Sequence, residues 1–142
     1  MRSLMAIIAG SAFIVVAILL LQLAYIFIAV AYNALAVDFP LLNDIAGLFR
    51  YLIGIPALVA TMFTGGYITA SVANMYASIK VWFHGLSVGF ITVGAMMYSA
   101  MGGHSGLTLT GIIVTVLALS ASPAGGFYWL RRNKPAEPLA IK

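Results

Sequence analysis

Cysteine does not occur in this chain, which excludes disulfides, thiolate metal ligands and cysteine nucleophiles. Acids are almost as scarce, with Asp38, Asp44 and Glu137 the only three. Charged residues of both signs make up 7% of the 142 residues, against about 25% in a soluble domain. That is too little charge to clothe a water-facing surface. The seven basic residues lie mostly towards the two ends and form no continuous basic face, so a nucleic-acid partner is not expected.

The same scarcity limits chemistry. His84 and His104 are the only side chains that ordinarily titrate near neutral pH. Twenty positions on one helix separate them by about 30 Å, so they cannot share a metal or a haem within one chain. No HxxxH, ExxH or pair of acids at ligand spacing occurs, and neither does a Walker loop or a nucleophile elbow. The expectation is no catalytic residues, no metal, no cofactor and no enzymatic activity. Nor does an ionisable residue fall near the middle of any long apolar run, where proton-coupled transport usually needs one.

What the sequence has in abundance is apolar length, at 63% hydrophobic residues. Four stretches reach the roughly 20 residues of a bilayer crossing, at about residues 4–33, 51–74, 81–101 and 107–130. The predicted fold class is therefore all-α, a single four-helix transmembrane domain. The first run is free of charge from Ser3 to Val37. Arg2 before it and Ala34-Leu35-Ala36 within it imitate a signal peptide, but a signal core is only about 7–15 residues, which favours a retained helix. It exceeds the bilayer thickness and must tilt or project.

Orientation follows from the basic residues. With the N-terminus inside, Arg2, Lys80, Arg131, Arg132, Lys134 and Lys142 face the cytoplasm and only Arg50 faces outward. The positive-inside rule then places both termini in the cytoplasm, with a tail at 131–142 that shows no amphipathic period. Trp82, Trp129, Arg131 and Arg132 read as anchors at the inner interface. Between the first two spans, Leu41, Leu42, Ile45, Leu48 and Phe49 recur at helical spacing after Asp38 and Pro40. This predicts a short interfacial helix at about 40–49, with an irregular loop as the alternative.

Helices in lipid associate through small residues and hydrogen bonds. Gly65, Gly66 and Thr69 on the second span, the Gly85/Gly89 GxxxG pair on the third, and Gly111, Thr115 and Ser122 within a small-residue heptad stripe on the fourth are the packing candidates. GGHSG at 102–106 is short enough to make the last two spans a hairpin, and Pro123 should kink the fourth. Gly66-Tyr67-Ile68-Thr69-Ala70 also echoes Gly89-Phe90-Ile91-Thr92-Val93, as an inverted repeat would.

One polar layer stands out. Gln22 lies near the middle of the first span, with Thr61 and Thr64, Thr92 and Thr115 near the middles of the others. A Gln22–threonine hydrogen bond could fasten the bundle; alternatively the layer lines a conduit or a small-ligand cavity. His84, in KVWFHGLSVG, is the remaining candidate polar site, or else part of a helix-entry and packing motif.

The run GGYITASVANMYASIKVWFHGLSVG, residues 65–89, resembles a pattern in small, uncharacterised four-helix bacterial inner-membrane proteins. In these, GGY opens the inner half of one helix and HG opens the next after a short cytoplasmic turn. This chain has Asn74 and Met75 where such proteins often carry basic residues. The resemblance implies topology and packing, and carries no activity. The functional expectation is an accessory, structural or assembly subunit of a larger membrane complex. Its partners would be other membrane subunits, further copies of itself, and lipids. The alternative is a small oligomeric transporter or channel built around Gln22.

Overall fold

The computed structural model describes residues 2–39, 48, 50–74, 76–101 and 108–133. Among them there is no strand. The chain forms α1 (Arg2–Ala36), α2 (Ile55–Ala73), α3 (Ser78–Met101) and α4 (Leu109–Asn133), with a π-helical turn at Arg50–Gly54 leading into α2. The all-α class expected from composition is what folds. The expected interfacial helix lies outside the described residues except for Leu48. The GGHSG turn with His104, and the tail from Lys134 onward, lie outside them too.

Among the described residues, three helical stretches are long and apolar enough to cross a membrane, by length and composition: Ser3–Leu35, Tyr51–Ala73 and Gly111–Asn133. Helix boundaries follow local chemistry. Pro56, near the start of α2, has no amide hydrogen to give to the Leu52 carbonyl, and the chain takes the wider π turn just before it. At the other end, Asn74 adopts the left-handed conformation (φ 50°, ψ 55°), and its amide donates back to the carbonyls of Ala70 and Ser71. Asparagine tolerates that backbone better than most residues. α4 continues through Pro123, whose missing amide leaves the Leu119 carbonyl without its usual donor.

α2 is the hub of the bundle. It meets α4 most extensively, carries α1 on another side, and touches α3; α1 also reaches α3 but does not meet α4. The core is built from Ile14, Met62, Val88, Val93, Ala118 and Ala121. A second cluster, Ala70, Val81, Trp129 and Leu130, closes the end of the bundle where α2 stops and α3 begins. α1 contributes a narrow row at steps of four, with Ala6, Gly10 and Ile14 buried and Ile18 half-buried. Every residue from 19 to 28 is exposed.

Candidate functional site: a glycine-lined helix junction

Several glycines of the bundle face the backbone of a neighbouring helix. A Cβ on Gly66 would overlap the carbonyl of Ser122, and one on Gly125 would overlap the carbonyl of Phe63. These two glycines allow α2 and α4 to meet backbone to backbone, as small residues do between helices in lipid. On the other flank of α4, a Cβ on Gly85 would fall 2.6 Å from the Pro123 Cα, and one on Gly89 would fall 3.2 Å from the Leu119 Cδ2. The GxxxG pair of α3 is therefore seated on the proline turn of α4. Ser122 completes the junction. Its hydroxyl, 0% exposed, donates a 2.9 Å hydrogen bond to the Gly85 carbonyl, tying α4 to α3 inside the apolar core.

α1 joins by the same device. Gly10 lies against Thr69 and Gly65 of α2, and Gly65 lies against the Ile14 side chain. The Thr69 hydroxyl is buried and donates to the Gly65 carbonyl at 2.9 Å, so it fills the contact without leaving a polar atom unmet.

Two candidates stand elsewhere. Gly111 is exposed, and among the described residues a Cβ there would meet only Thr108, just before its own helix. Thr115 is half-buried. The small-residue stripe of α4 is thus used in its second half, through Ala118, Ser122 and Gly125, while its first half faces outward.

The polar layer around Gln22 is not assembled. The hydroxyls of Thr61, Thr64 and Thr92 donate to the carbonyls of Ala57, Ala60 and Val88, each four residues back on its own helix. Gln22 lies instead beside Gly54 and Ala57, at the N-terminal end of α2. Position along α1 misplaces it, because α1 has 35 residues and α2 only 19.

His84 occupies the opposite end. Its Nδ1 lies 2.8 Å from the Lys80 carbonyl. A carbonyl only accepts, so Nδ1 carries the hydrogen. In the neutral ring Nε2 is then the acceptor for the Ser3 hydroxyl that it faces. This contact joins the first turn of α1 to the second turn of α3. Among the described residues no group of three His, Cys, Asp or Glu side chains is placed to hold a metal ion.

Aromatic rings cluster at this same end. Tyr76 lies 5.7 Å from Trp129, Trp82 packs edge-on to Phe127 at 6.2 Å, and Tyr128 lies between Phe63 and Tyr67. Trp82 is 49% exposed, as a belt residue would be, but Trp129 is only 6% exposed. Trp129 thus packs within the bundle as well as standing next to the basic last turn of α4. It is four residues past Gly125, on the same helix face, and its indole fills the core. Arg131 and Arg132 are exposed in the last turn of α4, where positive charge suits the helix C-terminus.

The sequence reading passed over Gly10 and Ser3. Gly10 is the only glycine of α1, and with Ser3 and Ala6 it makes a small-residue row at helical spacing; that row was the available signal. Gly126, whose added Cβ would fall 2.8 Å from Val81 Cγ1, had its signal in the paired glycines after Pro123.

Comparison with known proteins adds no relative: no protein-family model matches the chain, and neither a curated protein nor a solved structure is significantly similar to it.

Proposed function

We infer that this chain is a four-helix integral membrane protein that serves as an accessory or assembly subunit of a larger membrane complex. α3 would supply the fourth crossing, with both termini in the cytoplasm and a bacterial inner membrane as the setting. The observation that carries the reading is the division of small residues along the bundle. Those at the Gly10, Gly66, Gly85 and Gly125 level are consumed by contacts within the chain. Gly94 and Gly111 are exposed and, among the described residues, meet no other helix within 4 Å. Exposed notches of this kind suit a neighbouring helix, because close backbone approach is what drives association in lipid. The likeness of residues 65–89 to small bacterial inner-membrane proteins supports the same setting.

The transporter reading loses its main support, since the threonine hydroxyls are turned onto their own helices. The test is crosslinking in native membranes after Gly94→Cys or Gly111→Cys, in a chain with no other thiol. The expected result is a crosslinked species larger than one chain. Thiols that react with a small maleimide yet never crosslink would count against a neighbour on that face.

A further inference from the structure

Ser3 Oγ faces His84 Nε2 across the contact between α1 and α3, although 81 positions separate the two residues. The Lys80 carbonyl accepts from His84 Nδ1 at 2.8 Å. In the neutral ring this leaves Nε2 without a hydrogen, ready to take the proton of the serine hydroxyl. A hydroxyl on one ring nitrogen, with the other nitrogen held by an acceptor, is the arrangement that activates a serine nucleophile. Ser3 also stands in the first turn of α1, where the amides of Ser3 and Leu4 have no carbonyl of their own helix to meet. Amides so placed can receive the negative charge that builds on a carbonyl oxygen under attack. The pair is reachable from outside, with Ser3 exposed and His84 half-buried.

The surroundings select the substrate class. Leu4 and Met5 of α1 and Phe83 of α3, next to the pair in sequence, are exposed and offer apolar surface to an acyl chain. Trp82 and Tyr128, rings of the kind that favour a membrane interface, are exposed at the same end of the bundle. We propose that Ser3 and His84 form a catalytic dyad that hydrolyses carboxylic esters of apolar acyl chains. Ser3 Oγ bonds to the ester carbonyl carbon while its proton passes to His84 Nε2. The bond from that carbon to the alcohol oxygen breaks, and the alcohol leaves with the proton from Nε2. Water then attacks the acyl-serine, giving a proton to Nε2, and Ser3 Oγ recovers it as the carboxylic acid departs. The Lys80 carbonyl positions the imidazole. The dyad stands on side-chain geometry, whereas a bilayer lipid as the source of the ester rests on the membrane reading above.

The test exposes the full chain, purified in a mild detergent, to an alkyl fluorophosphonate and maps the adduct by peptide mass spectrometry. The adduct should sit on Ser3, disappear in Ser3→Ala, and form roughly tenfold more slowly or worse in His84→Gln. Ser3→Cys gives a readout that leaves His84 in place, in a chain with no other thiol. Its thiol should react with iodoacetamide about tenfold faster than that of Leu4→Cys at neutral pH. Hydrolysis is followed with p-nitrophenyl octanoate and, separately, by fatty-acid release from phosphatidylglycerol vesicles that hold the chain. Turnover of both, lost in Ser3→Ala, assigns a bilayer lipid as substrate, and turnover of the free ester alone assigns one outside the bilayer. No adduct on Ser3, thiols of equal reactivity, or an adduct without turnover of either ester would overturn the proposal and leave the contact a structural tie. Alkaline carbonate extraction tests the membrane reading separately. A chain stripped from the vesicles defeats that reading, whereas a retained chain whose Ser3 stays unreactive defeats only the dyad.

Discussion

Ser122 and Gly85 are joined across two helices by a 2.9 Å hydrogen bond, although 37 positions separate them in sequence. The hydroxyl is buried, the acceptor is a glycine carbonyl, and Pro123 packs on the same glycine. Ser122→Ala removes the donor but leaves the carbonyl its own helical partner. The loss of stability in bicelles should therefore be modest, about 1 kcal/mol. A loss several times larger would mean that the hydroxyl holds more than this one contact.

The glycine contacts should be far less forgiving. Gly66→Leu and Gly125→Leu each drive a side chain into a backbone carbonyl of the facing helix, and should destabilise the bundle by about 3 kcal/mol or prevent its assembly. Gly111→Leu, at an exposed position, should leave unfolding within about 0.5 kcal/mol of wild type. Steric-trap unfolding of the three variants gives the comparison.

The Ser3–His84 contact can be isolated by a double-mutant cycle. Ser3→Ala and His84→Ala should couple by about 0.5–1 kcal/mol near neutral pH. Additive effects would show that the first turn of α1 is held by apolar contacts alone.

Gln22→Leu should not loosen the isolated bundle, because Gln22 makes no hydrogen bond with Thr61, Thr64 or Thr92. Unfolding is expected within about 0.5 kcal/mol of wild type. A large loss in detergent would restore the polar-layer reading that the geometry argues against.

Orientation can be read without background, since no native cysteine is present. Asp38→Cys should react with an impermeant maleimide in intact cells. Lys80→Cys and Asn133→Cys, both at exposed positions, should react only after permeabilisation. The reverse pattern would invert the positive-inside assignment.

Much of the fold was legible because apolar length is a property of one segment at a time. The run from Ser3 to Val37 needed nothing outside itself to be read as a long helix. Partnership was less legible, because it depends on two segments at once. Gly85 and Gly89 announced a close approach, but nothing in their spacing named Pro123 and Leu119 as what lies against them. Gly111 carried the same small-residue signature as Ser122 and differs in standing where, among the described residues, α4 has no neighbour. Trp129 was read from its nearness to Arg131, and its four-residue step from Gly125 also places it on the packed face. Gln22 was assigned a depth by counting along α1, whereas the Gly10–Thr69 contact sets the register and shifts Gln22 to the far end of α2.

The most direct test of the subunit reading is the mass of the particle released from native membranes by a mild detergent, measured by native mass spectrometry. The expected result is a particle containing this chain together with at least one further polypeptide, whether another protein or a second copy. A single chain carrying only lipid and detergent, recovered quantitatively, would contradict it.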